Sequence, residues 1–111
     1  MARKRVVVTG LGMLSPVGNN VTSSWKKIIE GYSGVKVIDR FDTSDFETKF
    51  AATVDINSED YLDKKEIRRT DPFIQYGLIA SNECLDDSEI DLESLDLNKR
   101  KLNLQKKVDQ I

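Results

Sequence analysis

The chain has 111 residues, 39% of them hydrophobic and 32% charged, with a formal net charge of −2 at pH 7. That is the size of one small domain or of part of a larger one, and it carries no overall basic field to draw it to nucleic acid or anionic lipid. It holds one cysteine, Cys84, and no histidine. An internal disulfide, a Cys–His pair, a Ser–His–Asp triad and a His-bearing zinc site are therefore excluded within these residues.

The N-terminus, Met1-Ala2-Arg3-Lys4-Arg5, is basic and is followed by Val6-Val7-Val8. Thr9, Gly10 and Gly12 interrupt the apolar run after three residues, too soon for a secretory signal. No stretch approaches the roughly 20 apolar residues of a membrane helix. The expectation is a cytoplasmic protein, consistent with its single unpaired thiol.

The β-branched run Val6–Val8 predicts a strand buried on both faces, as in α/β sheets. Thr9 to Gly18 holds three glycines and Pro16 and predicts a turn-rich connection. Thr22 to Glu30 predicts a helix, because Val21, Trp25, Ile28 and Ile29 share one face. Thr22 is its expected N-cap and Gly31 its stop. Residues 32–58 read as irregular, with a short strand around Phe50 to Val54. Glu59 to Arg69 predicts a short charged helix. The strongest helix signal runs from Asp71 to about Asp86, with Asp71 as cap and Pro72 at the first helical position. Phe73, Ile74, Tyr76, Leu78, Ile79, Ala80, Cys84 and Leu85 give it a wide apolar arc, opposite Gln75, Asn82, Glu83 and Asp86. Beyond it an acidic stretch and then a basic one predict weak order.

Few residues here suggest chemistry. Gly10-x-Gly12 after a strand resembles a dinucleotide fingerprint, but Ser15 stands where the third glycine belongs. Gly18 is followed by Asn19, which rules out a phosphate-binding P-loop. The alternative is a turn where backbone passes close to backbone. Cys84 is either a nucleophile without a base or a buried structural thiol, and its place on the apolar side of a helix favours the second. The acidic stretch has no calcium-loop spacing. The residues call for no cofactor and no metal. Lys64, Lys65, Arg68 and Arg69 form a compact basic cluster in which Lys64 and Arg68, and Lys65 and Arg69, are four apart and share a helix side. It is either a charged surface or a dock for an acidic partner.

Several strings together resemble one family. Val6-Val7-Val8-Thr9-Gly10-Leu11-Gly12-Met13-Leu14-Ser15-Pro16-Val17-Gly18, then Phe41-Asp42-Thr43-Ser44 and Lys49-Phe50-Ala51, then Asp71-Pro72-Phe73-Ile74-Gln75-Tyr76-Gly77, stand in the order found in β-ketoacyl-acyl carrier protein synthases of type II. The similarity runs from residue 3 to about 98. It implies an α/β chain forming the N-terminal part of a thiolase-like fold, incomplete here, in which two pseudo-repeated halves make five layers and the enzyme is a homodimer. It also implies decarboxylative condensation of an acyl thioester with malonyl-acyl carrier protein in fatty-acid synthesis. The nucleophilic cysteine, two histidines and a lysine of that reaction match no residue of this chain, so the resemblance implies a truncated, inactive polypeptide. The one family site it carries over is carrier-protein docking by Lys65, Arg68 and Arg69. The alternative is a non-catalytic module that docks acyl carrier protein or a full-length synthase.

The resemblance divides the chain into an expected N-terminal synthase portion, residues 1–98, and an expected divergent tail, residues 99–111. The family continues into a glycine-rich strand where this chain reads Lys101-Leu102-Asn103-Leu104-Gln105-Lys106-Lys107. A shift of coding frame near Lys99 to Lys101 accounts for that departure, and family-like coding in another frame of the downstream DNA is its test.

Overall fold

The computed structural model describes residues 3–94. Residues 99–111, expected to diverge from the family, lie outside the described residues. The elements run α1 (Val21–Ile29), β1 (Val35–Val37), β2 (Phe50–Ala52), a 3-10 turn (Ser58–Asp60), α2 (Lys64–Arg69) and α3 (Pro72–Ser88).

Helix α1 begins at Val21, one residue before the expected Thr22. Its N-cap is Asn20, not Thr22: the Asn20 Oδ1 accepts the Ser23 N–H at 2.8 Å. Asn is the stronger cap of the two, and the turn joining Ser15 to Gly18 delivers the chain to it. The end is as expected. Gly31 adopts φ 78, its N–H donates to the Ile28 carbonyl, and the Tyr32 N–H donates to the Lys27 carbonyl. This is a Schellman cap, which a side chain at Gly31 would strain.

Val6–Val8 is not a strand in the described structure. It is extended but unpaired, and Val6 is 92% exposed. A strand exists only where a neighbour takes its backbone hydrogen bonds, and none lies beside this segment among the described residues. The strand expected around Phe50 is β2. It pairs antiparallel with β1, which the sequence pattern did not suggest, with Val35 opposite Ala52 and Val37 opposite Phe50. Between them Asp42 Oδ1 accepts from the hydroxyl and the backbone N–H of Ser44. The hydroxyl first, and then the N–H, hold the Asp42 carboxyl below its ordinary pKa. This turn therefore keeps its full support above the ordinary carboxylate range and loses it only as pH falls below.

The charged stretch after Asn57 forms two short pieces, the 3-10 turn and α2. Pro72 opens α3 as expected. Asp71 stands at the cap position, but its side chain makes no capping hydrogen bond. The helix runs two residues past the expected Asp86 and stops where Glu89 turns left-handed at φ 51.

Helix α3 packs through Ile79, Ala80 and Cys84 of its apolar arc and also through two polar residues expected on the other side. Gln75 is only 8% exposed and Ile79 only 4%. With half-buried Glu83 they lie at i, i+4 and i+8 on one face. Phe73 and Leu85, from the apolar arc, are exposed instead. Asn82 and Asp86 remain outside, as expected.

Among the described residues, Leu62 and Ile79 are the buried hydrophobic side chains, while Trp25, Ile29, Val37, Phe50 and Phe73 are exposed. Burying a large apolar side chain contributes about 1.5–3 kcal/mol, and a domain that folds alone buries many of them. These faces need a covering surface that residues 3–94 do not provide. The 111-residue polypeptide expressed by itself is expected to melt without a sharp transition in a calorimeter and to aggregate. A single cooperative unfolding peak would contradict that.

Candidate functional site

The glycine segment lies across α3 as a strap. A Cβ at Gly12 would overlap the Ala80 carbonyl, and one at Gly10 would overlap the Cys84 carbonyl oxygen. Glycine is required at both because backbone meets backbone. The strap is then anchored by carboxylates. The Leu11 N–H donates to Asp87 Oδ2 at 2.9 Å, and the Met13 N–H to Glu83 Oε2 at 2.8 Å. The other Glu83 oxygen accepts the Val21 N–H at 2.8 Å. Val21 opens α1, where N–H groups lack helical partners and the helix dipole favours an anion. One side chain therefore holds the strap, α1 and α3 together.

This arrangement decides between the two readings of Gly10-x-Gly12. A phosphate site needs free N–H groups and a positive field. Here the N–H groups of Leu11 and Met13 are taken, and the groups taking them are anionic. The segment is a packing device.

The Cys84 thiol donates to the Gly10 carbonyl at 3.3 Å. It is half-buried, less covered than expected, because a single extended segment lies over it. Its role is structural, since the sulfur is held against the strap. Beyond the strap, Ser15 and Gly18 exchange two backbone hydrogen bonds, and the Ser15 and Ser24 hydroxyls meet at 2.8 Å. Ser24 is fully buried.

The basic cluster occupies α2. Lys64, Lys65, Arg68 and Arg69 are all exposed on this six-residue helix, which brings Lys65, Arg68 and Arg69 together. Arg68 and Arg69 stand in its last turn, where positive charge suits the dipole. An open groove of about 740 Å³ runs between the strap, the start of α1 and α3, with Leu11, Val21, Ile79 and Glu83 in its wall. Among the described residues no group of three His, Cys, Asp or Glu side chains stands together to hold a metal. No described helix is long and apolar enough to cross a membrane.

Sequence reasoning missed Glu83, Asp87 and Gln75, assigning the first and last to the solvent side. The available signal was their spacing from Ile79, at i+4, i+8 and i−4.

The arrangement, a glycine strap closed onto a long helix beside a two-stranded sheet, is similar to that of a ketosynthase among solved structures. Residues 3–103 match the family described as "Beta-ketoacyl synthase, N-terminal domain", and the chain belongs to that family. It is 52% identical over 93 residues to 3-oxoacyl-acyl-carrier-protein synthase 2 of Vibrio harveyi, covering 83% of this chain and 22% of that protein. It is 42% identical over 90 residues to the enzyme of the same name from Staphylococcus aureus strain COL, covering 80% and 22%. Among solved structures it resembles the ishigamide ketosynthase/chain length factor, with a TM-score of 0.75 and 30% identity over 85% of this chain and 24% of that one. The chain thus spans about a fifth of the length of the curated relatives it matches.

The Glu83 anchor is testable in a chimeric synthase, in which this chain replaces the matching segment of the Vibrio harveyi protein. Glu83→Gln turns an amide NH₂ toward one of two backbone donors. The expected loss is about 1–3 kcal/mol of stability, the usual result of leaving a buried donor unpaired, read from the denaturant midpoint. An unchanged midpoint would contradict the anchor.

Proposed function

We propose that this chain is the N-terminal part of a 3-oxoacyl-acyl-carrier-protein synthase, and that it contributes architecture and carrier docking, not reacting groups. The observation that carries the reading is the strap. Its glycines and the helix they close on fall inside the family match of residues 3–103. The finer architecture proposed is a thiolase-like fold of two pseudo-repeated halves, assembled as a homodimer, in which the exposed faces of α1, β1 and α3 are covered by the remainder of the synthase.

In the proposed reaction an acyl group is held as a thioester on a cysteine. Malonyl-acyl carrier protein loses carbon dioxide, and the carbanion so formed attacks the thioester carbonyl. A carbon–carbon bond forms and the thiolate leaves. Such chemistry needs a thiolate nucleophile and groups that stabilise the developing enolate. The 111 residues hold no histidine, and the Cys84 thiol donates a hydrogen bond to the Gly10 carbonyl. The polypeptide alone is therefore without condensing activity.

Docking is the task left to this stretch. Acyl carrier proteins are acidic, and Lys65, Arg68 and Arg69 offer three cations on one exposed helix. Complementary charge of this kind guides encounter and register more than it adds raw affinity. A non-catalytic module that docks carrier protein, or a full-length synthase, would use the same exposed helix.

In the chimeric synthase, Lys65→Glu and Arg68→Glu should each raise KM for the acyl-carrier-protein substrate about ten-fold, since close charge pairs across an interface are coupled by at least about 1.5 kcal/mol. The effect should shrink as salt is added. A KM indifferent to both reversals would rule out docking by α2.

A further inference from the structure

We infer that Gln75 is a positioning residue for the basic helix, setting the angle at which Lys65, Arg68 and Arg69 are offered to the carrier protein; this rests on the docking reading above.

Helix α2 has only six residues, too few to be stable without outside support. Its last carbonyls have no partners within the helix. Two residues, Thr70 and Asp71, join it to α3, and both are extended. A joint of two extended residues leaves the angle between the helices free unless something spans it.

Gln75 spans it. From the first turns of α3 its Nε2 donates back to the Ile67 carbonyl at 3.2 Å and to the Thr70 carbonyl at 2.9 Å. Both hydrogens of one amide nitrogen are used, one on α2 and one on the joint. The side chain is buried, so these bonds are shielded from competing water. A second grip lies beside them: the Thr70 hydroxyl donates to the Glu66 carbonyl at 2.6 Å. The carbonyl held by Gln75 belongs to the residue just before Arg68 and Arg69. Any swing of α2 about the joint therefore moves both guanidinium groups relative to α3.

The chemistry of the choice supports the assignment. A buried amide holds carbonyls without bringing charge. A lysine there would add a buried cation, and a carboxylate would face the two carbonyls with no proton to give. Gln75 fixes the field of its neighbours and adds nothing to it.

The test separates positioning from general support. In the chimeric synthase, Gln75→Leu keeps the shape and removes both hydrogen bonds. KM for the acyl-carrier-protein substrate should rise about five-fold, in line with two modest hydrogen bonds. The kcat should hold, and so should KM for a small acyl thioester that lacks the carrier. Thr70→Val, which removes the neighbouring grip, should give the same selective rise at about two-fold, and it decides the matter if Gln75→Leu fails to fold. Equal losses on both substrates, or no change on either, would overturn the inference. If Arg68→Glu raises the carrier KM and these two variants do not, docking stands and positioning by Gln75 falls. If Arg68→Glu is also silent, the docking reading itself is at fault.

Discussion

The described fold depends on one contact, the passage of the Gly10–Met13 strap over the backbone of α3. Two backbones can come this close only where no side chain intervenes, and both contact points are glycines. Close approach leaves the strap's N–H groups facing the helix, where the helical carbonyls are already engaged. Glu83 and Asp87 supply the missing acceptors. The Met13 N–H is part-buried and costly to leave unpaired, so the strap and Glu83 make one unit, with Asp87 adding a bond at the exposed edge.

From that unit the remaining positions follow. The second oxygen of Glu83 holds the first residue of α1, so the direction of α1 is set by α3 and not by the hydrophobic spacing of α1 itself. At the opposite end of α3, Gln75 does the same for α2 through Ile67 and Thr70. Helix α3 is thus a spine that grips one neighbour at each end by a polar side chain from a single face. Three apolar side chains of the spine, Phe73, Ile74 and Leu85, are left exposed. They form a surface for further packing, as suits a segment that matches about a fifth of its relatives' length.

The two ends of the chain's logic were unequally legible in the sequence. Gly31 and Pro72 could be read because each acts through its own backbone: one tolerates positive φ, the other suits the start of a helix and little else. The closeness of backbones at Gly10 and Gly12 was legible for the same reason. Val6–Val8 was misread because a strand is a property of a pair, and its β-branched run carries no information about the neighbour. Glu83 and Gln75 were misread because a polar residue on a helix looks alike whether it meets water or a buried backbone donor. Only the partner, more than 60 residues away for Glu83, distinguishes them. The basic cluster was legible as a cluster, since i, i+4 spacing is local, whereas the device that orients it was not.

The central claim is that the strap must touch α3 backbone to backbone. Its most direct test is Gly12→Ala in the chimeric synthase, followed by denaturant unfolding. One methyl group at this point should lower stability by about 1–3 kcal/mol or more, as forced overpacking does, because it meets the Ala80 carbonyl of a helix that cannot yield without breaking its own hydrogen bonds. A Gly12→Ala protein that unfolds at the same midpoint as its parent would contradict the account.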